Sequence, residues 1–155
     1  MSVFKRFFNI KNYIYKSKQV DLIENYRVNA EEAYDGIPTV FYSIYLHNSD
    51  TRIGKIDLRL SIDGDMYYYG HIGYRINPDF QGHNYAYYAC EILLRIIRNE
   101  FNLKEVIITC SPDNIASKKT IEKLNGELIK TVDVPKNHQL YIMGEKVKLI
   151  YKIKI

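Results

Sequence analysis

Near residue 76 the hydrophobic period of this chain changes from two to that of a helix, and a glycine-containing loop stands at the change. Over residues 53–62, Ile56, Leu58, Leu60 and Ile62 alternate with Lys55, Asp57, Arg59 and Ser61, the pattern of a half-buried strand. Asp63-Gly64-Asp65 has hairpin-turn chemistry, and residues 67–76 read as a further strand with Gly70 and Gly73 inside it. Glycine within a strand marks a bulge or a close approach to the backbone. Beyond Gly82, Ala86, Cys90, Leu93, Leu94, Ile97 and Phe101 fall at helical spacing with Glu91, Arg95 and Arg98 between them, so the spacing predicts a helix over 83–100.

The flanks extend this pattern. Residues 20–28 and 39–47 read as strands, with turns at Asp35-Gly36-Ile37-Pro38 and Asn48-Ser49-Asp50. Residues 105–110 form a short, almost wholly apolar run, as expected of a strand at a sheet centre. Pro112-Asp113-Asn114 opens a helix over 115–124, which Asn125-Gly126 closes as a C-cap. Strands over 127–134 and 146–155 follow. The first 17 residues lack a clear pattern and read as an arm or a short helix. Strand–helix–strand implies a parallel pair with a right-handed crossover. The expectation is one α/β (α+β) domain over 1–155, a mixed central sheet of about 6–7 strands flanked by helices.

Composition narrows the function. The 22 basic and 18 acidic residues leave a net charge of +4, and they are interleaved along the chain. A nucleic-acid binder gathers its positive charge in a stripe, so no nucleic-acid partner is expected. Cys90 and Cys110 sit in apolar segments and read as buried free thiols. The four histidines are scattered and no cysteine pair has ligand spacing, so no metal is expected. The basic, aromatic start (Phe4, Lys5, Arg6, Phe7, Phe8) lacks a signal-peptide core, and no apolar run is long enough to span a bilayer. The chain reads as cytoplasmic, with no membrane partner, and as a monomer or homodimer.

The chemistry concentrates at residues 70–86. A glycine loop feeding a helix start leaves several backbone N–H groups unpaired, and the helix dipole adds partial positive charge there. That combination suits an anion such as a pyrophosphate. Gly82 lets the backbone approach a ligand, and Asn84 tolerates a left-handed conformation.

Gln81-Gly82-His83-Asn84-Tyr85-Ala86 resembles the acetyl-CoA signature of the GNAT acetyltransferase family, often Arg-Gly-x-Gly-Tyr-Ala, with Asn84 replacing the second glycine. Ile76-Asn77-Pro78-Asp79-Phe80 resembles the approach to that signature. Asn114-Ile115-Ala116-Ser117 and Glu122-Lys123-Leu124-Asn125-Gly126 resemble the family's second motif. The resemblance covers residues 53–126, and loosely the last two strands. It implies a GNAT fold in which the strands over 67–76 and 105–110 splay apart and the pantetheine of acetyl-CoA lies between them. It assigns cofactor contacts to Tyr74, Arg75, Ile76, Gln81, Gly82, His83, Asn84, Tyr85, Ala86, Asn114 and Ser117.

The implied reaction is direct attack of an acceptor amine on acetyl-CoA in a ternary complex. A backbone N–H near residues 73–75 would hold the developing oxyanion. The acceptor is a small-molecule, peptide or protein amine. Gly70 stands where some relatives carry a carboxylate, which leaves His71 and Tyr74 as catalytic candidates and Asp57 as a third. Ile121 stands where many relatives carry a proton-donating tyrosine. Those two losses favour a rival reading, a non-catalytic acyl-CoA sensor of the same fold. Residues 29–38 are too short for two helices, which implies an open acceptor groove. The loop over 135–145, with His138, Tyr141 and Met143, is expected to cover it.

Overall fold

A computed structural model describes residues 13–155. The expectation of an N-terminal arm or helix lies outside the described residues, except at its end, where Ile14–Lys16 forms a short strand, β1. Strands β2 (Val20–Val28), β3 (Thr39–Leu46), β4 (Arg52–Arg59) and β5 (Ile72–Ile76) follow. Helix α1 spans Tyr85–Glu100, β6 Glu105–Cys110, α2 Ile115–Lys123 and β7 Glu127–Asp133. Helix α3 (Gln139–Ile142) and β8 (Val147–Lys154) complete the chain.

The α+β class and the flanking helices are as the pattern predicts, but the sheet is divided. β1 to β5 form one antiparallel sheet in chain order. β6, β8 and β7 form a second, also antiparallel, with β8 in the middle. In place of the expected single mixed sheet of about six or seven strands, the described residues form eight strands in two sheets. β5 and β6 pair only at a seam, through a bridge between Gly70 and Ile108 and a hydrogen bond from His71 N–H to Ile107 O at 2.8 Å.

The strand expected over 67–76 is the other correction. Gly64–Tyr68 continues the turn as a 3-10 helix, and Gly70 takes φ +74°, so regular strand begins only at Ile72. Tyr68 and Tyr69 pack on His138, with ring centroids 5.1 and 5.4 Å apart, which draws this segment away from the sheet.

One core unites the two sheets. Ile56 and Leu58 of β4 are buried with Val106 and Ile108 of β6 and Tyr151 of β8. Helix α1 lies across β2, β4 and β5. Its buried stripe includes Ala89, Cys90, Leu93, Leu94 and Ile97, and Glu91, Arg95 and Arg98 face solvent. Each large aliphatic side chain so buried contributes about 1.5–3 kcal/mol. Helix α2 ends as the sequence predicts. Asn125 takes φ 62°, its N–H bonds Glu122 O at 3.0 Å, and Gly126 N–H bonds Ile121 O at 2.9 Å, a Schellman closure.

Candidate active site

Past the seam, β5 and β6 separate. Ile72, Gly73 and Tyr74 line one wall of a cleft of about 470 Å³, and Thr109, Cys110 and Ser111 line the other. The start of α2, at Asn114 and Ser117, closes one side. A second hollow of about 500 Å³, under Tyr87, Arg98 and Lys123, holds none of the motif residues beyond Lys123, Leu124 and Asn125. Chemistry therefore favours the cleft over the marginally larger hollow.

Strand pairing fixes which backbone groups face the cleft. Arg59 N–H bonds His71 O at 2.7 Å, and Asn77 N–H bonds Ile53 O at 2.8 Å. The register pairs Arg75 with Lys55 and Gly73 with Asp57. Hydrogen-bonded and non-bonded pairs alternate in an antiparallel ladder, so the odd-numbered residues of β5 bond to β4. The N–H and C=O groups of Ile72, Tyr74 and Ile76 then point away from β4. Among the expected oxyanion donors, Tyr74 N–H faces the right way, and those of Gly73 and Arg75 are taken by β4.

The phosphate-type loop forms beyond the end of β5. Pro78–Phe80 makes a 3-10 turn, Gly82 takes φ +86°, and Asn84 caps α1 in the left-handed region at φ 61°, ψ 19°. A Cβ at Gly82 would meet nothing within 4 Å, so the glycine is required by its dihedral and the space beside it is open. The Asn84 side chain makes no capping bond, and the first N–H groups of α1 at Tyr85 and Ala86 lack intrahelical acceptors. Gln81 through Asn84 are exposed. The Gln81 amide donates to Ile76 O at 3.0 Å, so that side chain ties the loop to β5.

Of the residues expected to contact the cofactor, the cleft wall includes Tyr74, Asn114 and Ser117. Gln81, Gly82, His83, Asn84, Tyr85 and Ala86 form the neighbouring turn, and the Arg75 side chain is exposed. Tyr74 donates its hydroxyl hydrogen to Ser117 Oγ at 3.0 Å, and burial pushes its phenol up to about 12. Asn114 Oδ1 accepts from Ser117 N–H at 3.1 Å, capping α2.

His71 is placed differently from expectation. It is buried, and its Nδ1 accepts the Ile107 N–H at 2.8 Å. Burial lowers its pKa from the ordinary value. The imidazole is a neutral pin across the seam, with one nitrogen spent on backbone, rather than a ring presented to the cleft.

The far end of the cleft holds groups that periodicity did not single out. Arg59 pairs with Asp57 at 3.2 Å, donates to Gly70 O at 3.1 Å and lies 5.7 Å from the Tyr69 ring centroid. Glu145 accepts from Ser111 Oγ at 2.6 Å and pairs with buried Lys148, which holds its carboxyl below the usual range despite partial burial. The 135–145 loop does reach the cleft, through Leu140 and Glu145. His138 is instead buried, its Nδ1 capping α3 at Leu140 N–H and its Nε2 on Asp65 O at 2.9 Å, and Met143 faces solvent. Alternation on β4 had placed Asp57 and Arg59 on one polar face, but nothing in the sequence signalled that Glu145 and Lys148 would line the same cleft as Arg59.

Known proteins agree with this geometry. The profile of the acetyltransferase (GNAT) domain matches residues 6–127. The uncharacterized N-acetyltransferase YnaD of Bacillus subtilis (strain 168) is 32% identical over 83 residues, covering 54% of this chain and 47% of that protein. The chain thus spans about half the length of that curated relative. RimL, a ribosomal L7/L12 alpha-N-protein acetyltransferase, solved with coenzyme A, superposes with TM-score 0.68 at 14% identity over 92% of this chain and 98% of RimL. The microcin C7 self-immunity acetyltransferase MccE, solved with acetyl-CoA and AMP, gives 0.59 at 20% identity over 76% of this chain and 61% of MccE. At such identities the structures show a shared fold, and the domain match spans most of the sequence: this chain belongs to the GNAT acetyltransferase family.

Proposed function

We propose that the protein transfers the acetyl group of acetyl-CoA to an amine by direct attack. The observation that carries this is the open backbone of β5, where Tyr74 N–H and C=O face a cleft with no partner strand. A pantetheine arm supplies the amides that such an edge lacks. The exposed loop at 81–86 and the first turn of α1 suit the pyrophosphate, at the end of β5 where the arm would emerge. Asn114 and Ser117 flank the arm from α2. The coenzyme complexes of MccE and RimL support the same use of this fold.

Each part has a stated task. Tyr74 N–H polarises the thioester carbonyl and holds the oxyanion of the tetrahedral intermediate. The Tyr74 phenol, kept protonated by burial, serves as proton donor to the departing thiolate, a task Ile121 cannot perform because it is an alkyl side chain, fully buried. The acceptor enters beside residues 29–38, which form turns rather than helices. RimL's protein substrate is consistent with such an acceptor.

The test is titration calorimetry with acetyl-CoA, followed by thiol release over a panel of alkylamines, amino acids, polyamines and peptides. Saturable binding and amine-dependent release support the proposal. Binding without release over the whole panel supports the sensor reading, and absence of binding rejects both.

A further inference from the structure

We infer that Asp57 takes the proton from the attacking amine, and that the amine nitrogen sits over Gly73. The inference rests on the acetyl-transfer reading and assigns the base which that reading leaves open.

Asp57 and Gly73 are direct partners across the β4–β5 ladder. A Cβ at Gly73 would lie 3.1 Å from both Asp57 Oδ1 and Arg59 Nη2 and 3.3 Å from Asp57 Oδ2. No side chain at residue 73 therefore screens the partly exposed Asp57 carboxylate, which the Arg59 guanidinium flanks. Gly73 itself lines the cleft, and the next residue supplies the N–H that faces the thioester. A nitrogen resting above Gly73, in van der Waals contact with it, comes beside both the group that accepts its proton and the group that holds the oxyanion.

The carboxylate is held yet not saturated. Arg59 Nη2 stands 3.2 Å from Oδ2, and Arg59 is itself anchored to Gly70 O. Buried Oδ2 has that ion-pair contact and, among the described residues, no directed hydrogen bond. The surrounding groups are known. Arg59 and Lys55 on β4 favour the charged form, and burial, the larger effect, disfavours it, so its pKa is raised. From β5 it faces Gly73, and from β3 the opposite residue is the apolar Phe41, stacked on Tyr26 at 4.6 Å. That half-open aromatic surface gives the body of the acceptor a place to lie, which fits a primary amine carried on an apolar or flat group.

The proton balance closes. The ammonium gives one proton to the Asp57 carboxylate, and the neutral nitrogen attacks the thioester carbon. The C–N bond forms and the C–S bond breaks as the tetrahedral intermediate collapses. The second nitrogen proton passes to water as the amide forms, and the coenzyme thiolate takes its proton from the Tyr74 phenol, which water then reprotonates. Arg59 acts only as a positioning residue for the carboxylate.

The experiment compares wild type with Asp57→Asn, using the alkylamine or peptide amine of the panel that turns over best. Expected is a loss of about 100-fold or more in kcat/KM with the acetyl-CoA Kd unchanged, as for removal of a general base. The acidic limb of the wild-type pH profile should vanish in the variant. With an aromatic amine, already neutral at the assay pH, the variant should lose far less. Gly73→Ala, whose Cβ crowds Asp57 and Arg59 and covers the carboxylate, should raise the acceptor KM and leave the acetyl-CoA Kd alone. Asp57→Asn that binds acetyl-CoA normally and keeps wild-type kcat/KM and pH profile overturns the inference and leaves the transfer reading intact. A wild type that binds acetyl-CoA but acetylates no amine overturns the transfer reading and the inference with it.

Discussion

Replacing Gly70 by alanine should strike the seam that shapes the cleft. Gly70 has φ +74°, and a Cβ there would meet Ile107 O at 2.8 Å, with Ile107 C and Ile108 Cα both at 3.3 Å. The left-handed backbone costs an L-residue about 1–2 kcal/mol. The close atoms are backbone and cannot rotate away, which adds about 1–3 kcal/mol of overpacking. The sum, about 2–5 kcal/mol, lowers Tm by about 4–20 °C for a chain of this size. Gly64 and Gly36 supply the controls. Both have positive φ, +57° and +72°, and neither has an atom within 4 Å of an added Cβ. Gly64→Ala and Gly36→Ala should therefore carry only the dihedral cost, about 2–8 °C. Thermal melts by circular dichroism measure all three. Because the seam sets the spacing of β5 and β6, Gly70→Ala should also weaken acetyl-CoA binding, and the controls should not. A Gly70→Ala melt no lower than that of Gly64→Ala would refute the claim that close approach of the two sheets fixes this residue.

Three further outcomes follow from named contacts. His71 has a lowered pKa in the folded state, so the unfolded chain binds the extra proton first. Its contribution to stability is then complete above about pH 6.5 and is lost as pH falls toward the lowered value, with a slope of up to about 1.4 kcal/mol per pH unit. Urea midpoints measured against pH should show this decline in wild type and a flatter curve in His71→Gln. Asn114→Ala removes the acceptor for Ser117 N–H and should cost about 1 kcal/mol. Asn114→Asp should restore the melt, and if Asn114 also touches the coenzyme the acetyl-CoA Kd will stay weakened. Tyr74→Phe loses its bond to Ser117, worth about 0.5–1.5 kcal/mol. Its kcat should fall with acetyl-CoA and recover with an acetyl thioester of a more acidic aryl thiol, which leaves without proton assistance.

The local elements were legible because their signals are local. Alternation on β4, helical spacing on α1, and the turn residues Gly82, Asn84 and Asn125 each needed only a few neighbours to be read, and the positive φ angles appear where they were expected. The segment over 67–71 was misread because its tyrosines have strand propensity, and their packing on His138, far along the chain, outweighed it. His71 illustrates the same limit. A histidine beside a glycine-rich strand reads as a proton carrier, and only the fold shows that its Nδ1 accepts the Ile107 N–H.

Local sequence pattern carried the order of the main strands and helices and the turn at Gly82 and Asn84, because these depend on backbone dihedrals and periodicity that neighbouring residues set. The donor half of the proposed reaction came from the resemblance of residues 81–86 and 114–126 to the family's motifs. Only cross-strand packing divides the strands into two sheets joined at Gly70 and His71, turns the N–H of Tyr74 and not of Gly73 or Arg75 to the cleft, and sets Asp57 opposite Gly73. These follow from cross-strand register and from approaches of a few ångströms between residues remote in sequence, such as Gly70 and Ile107, which no local pattern encodes.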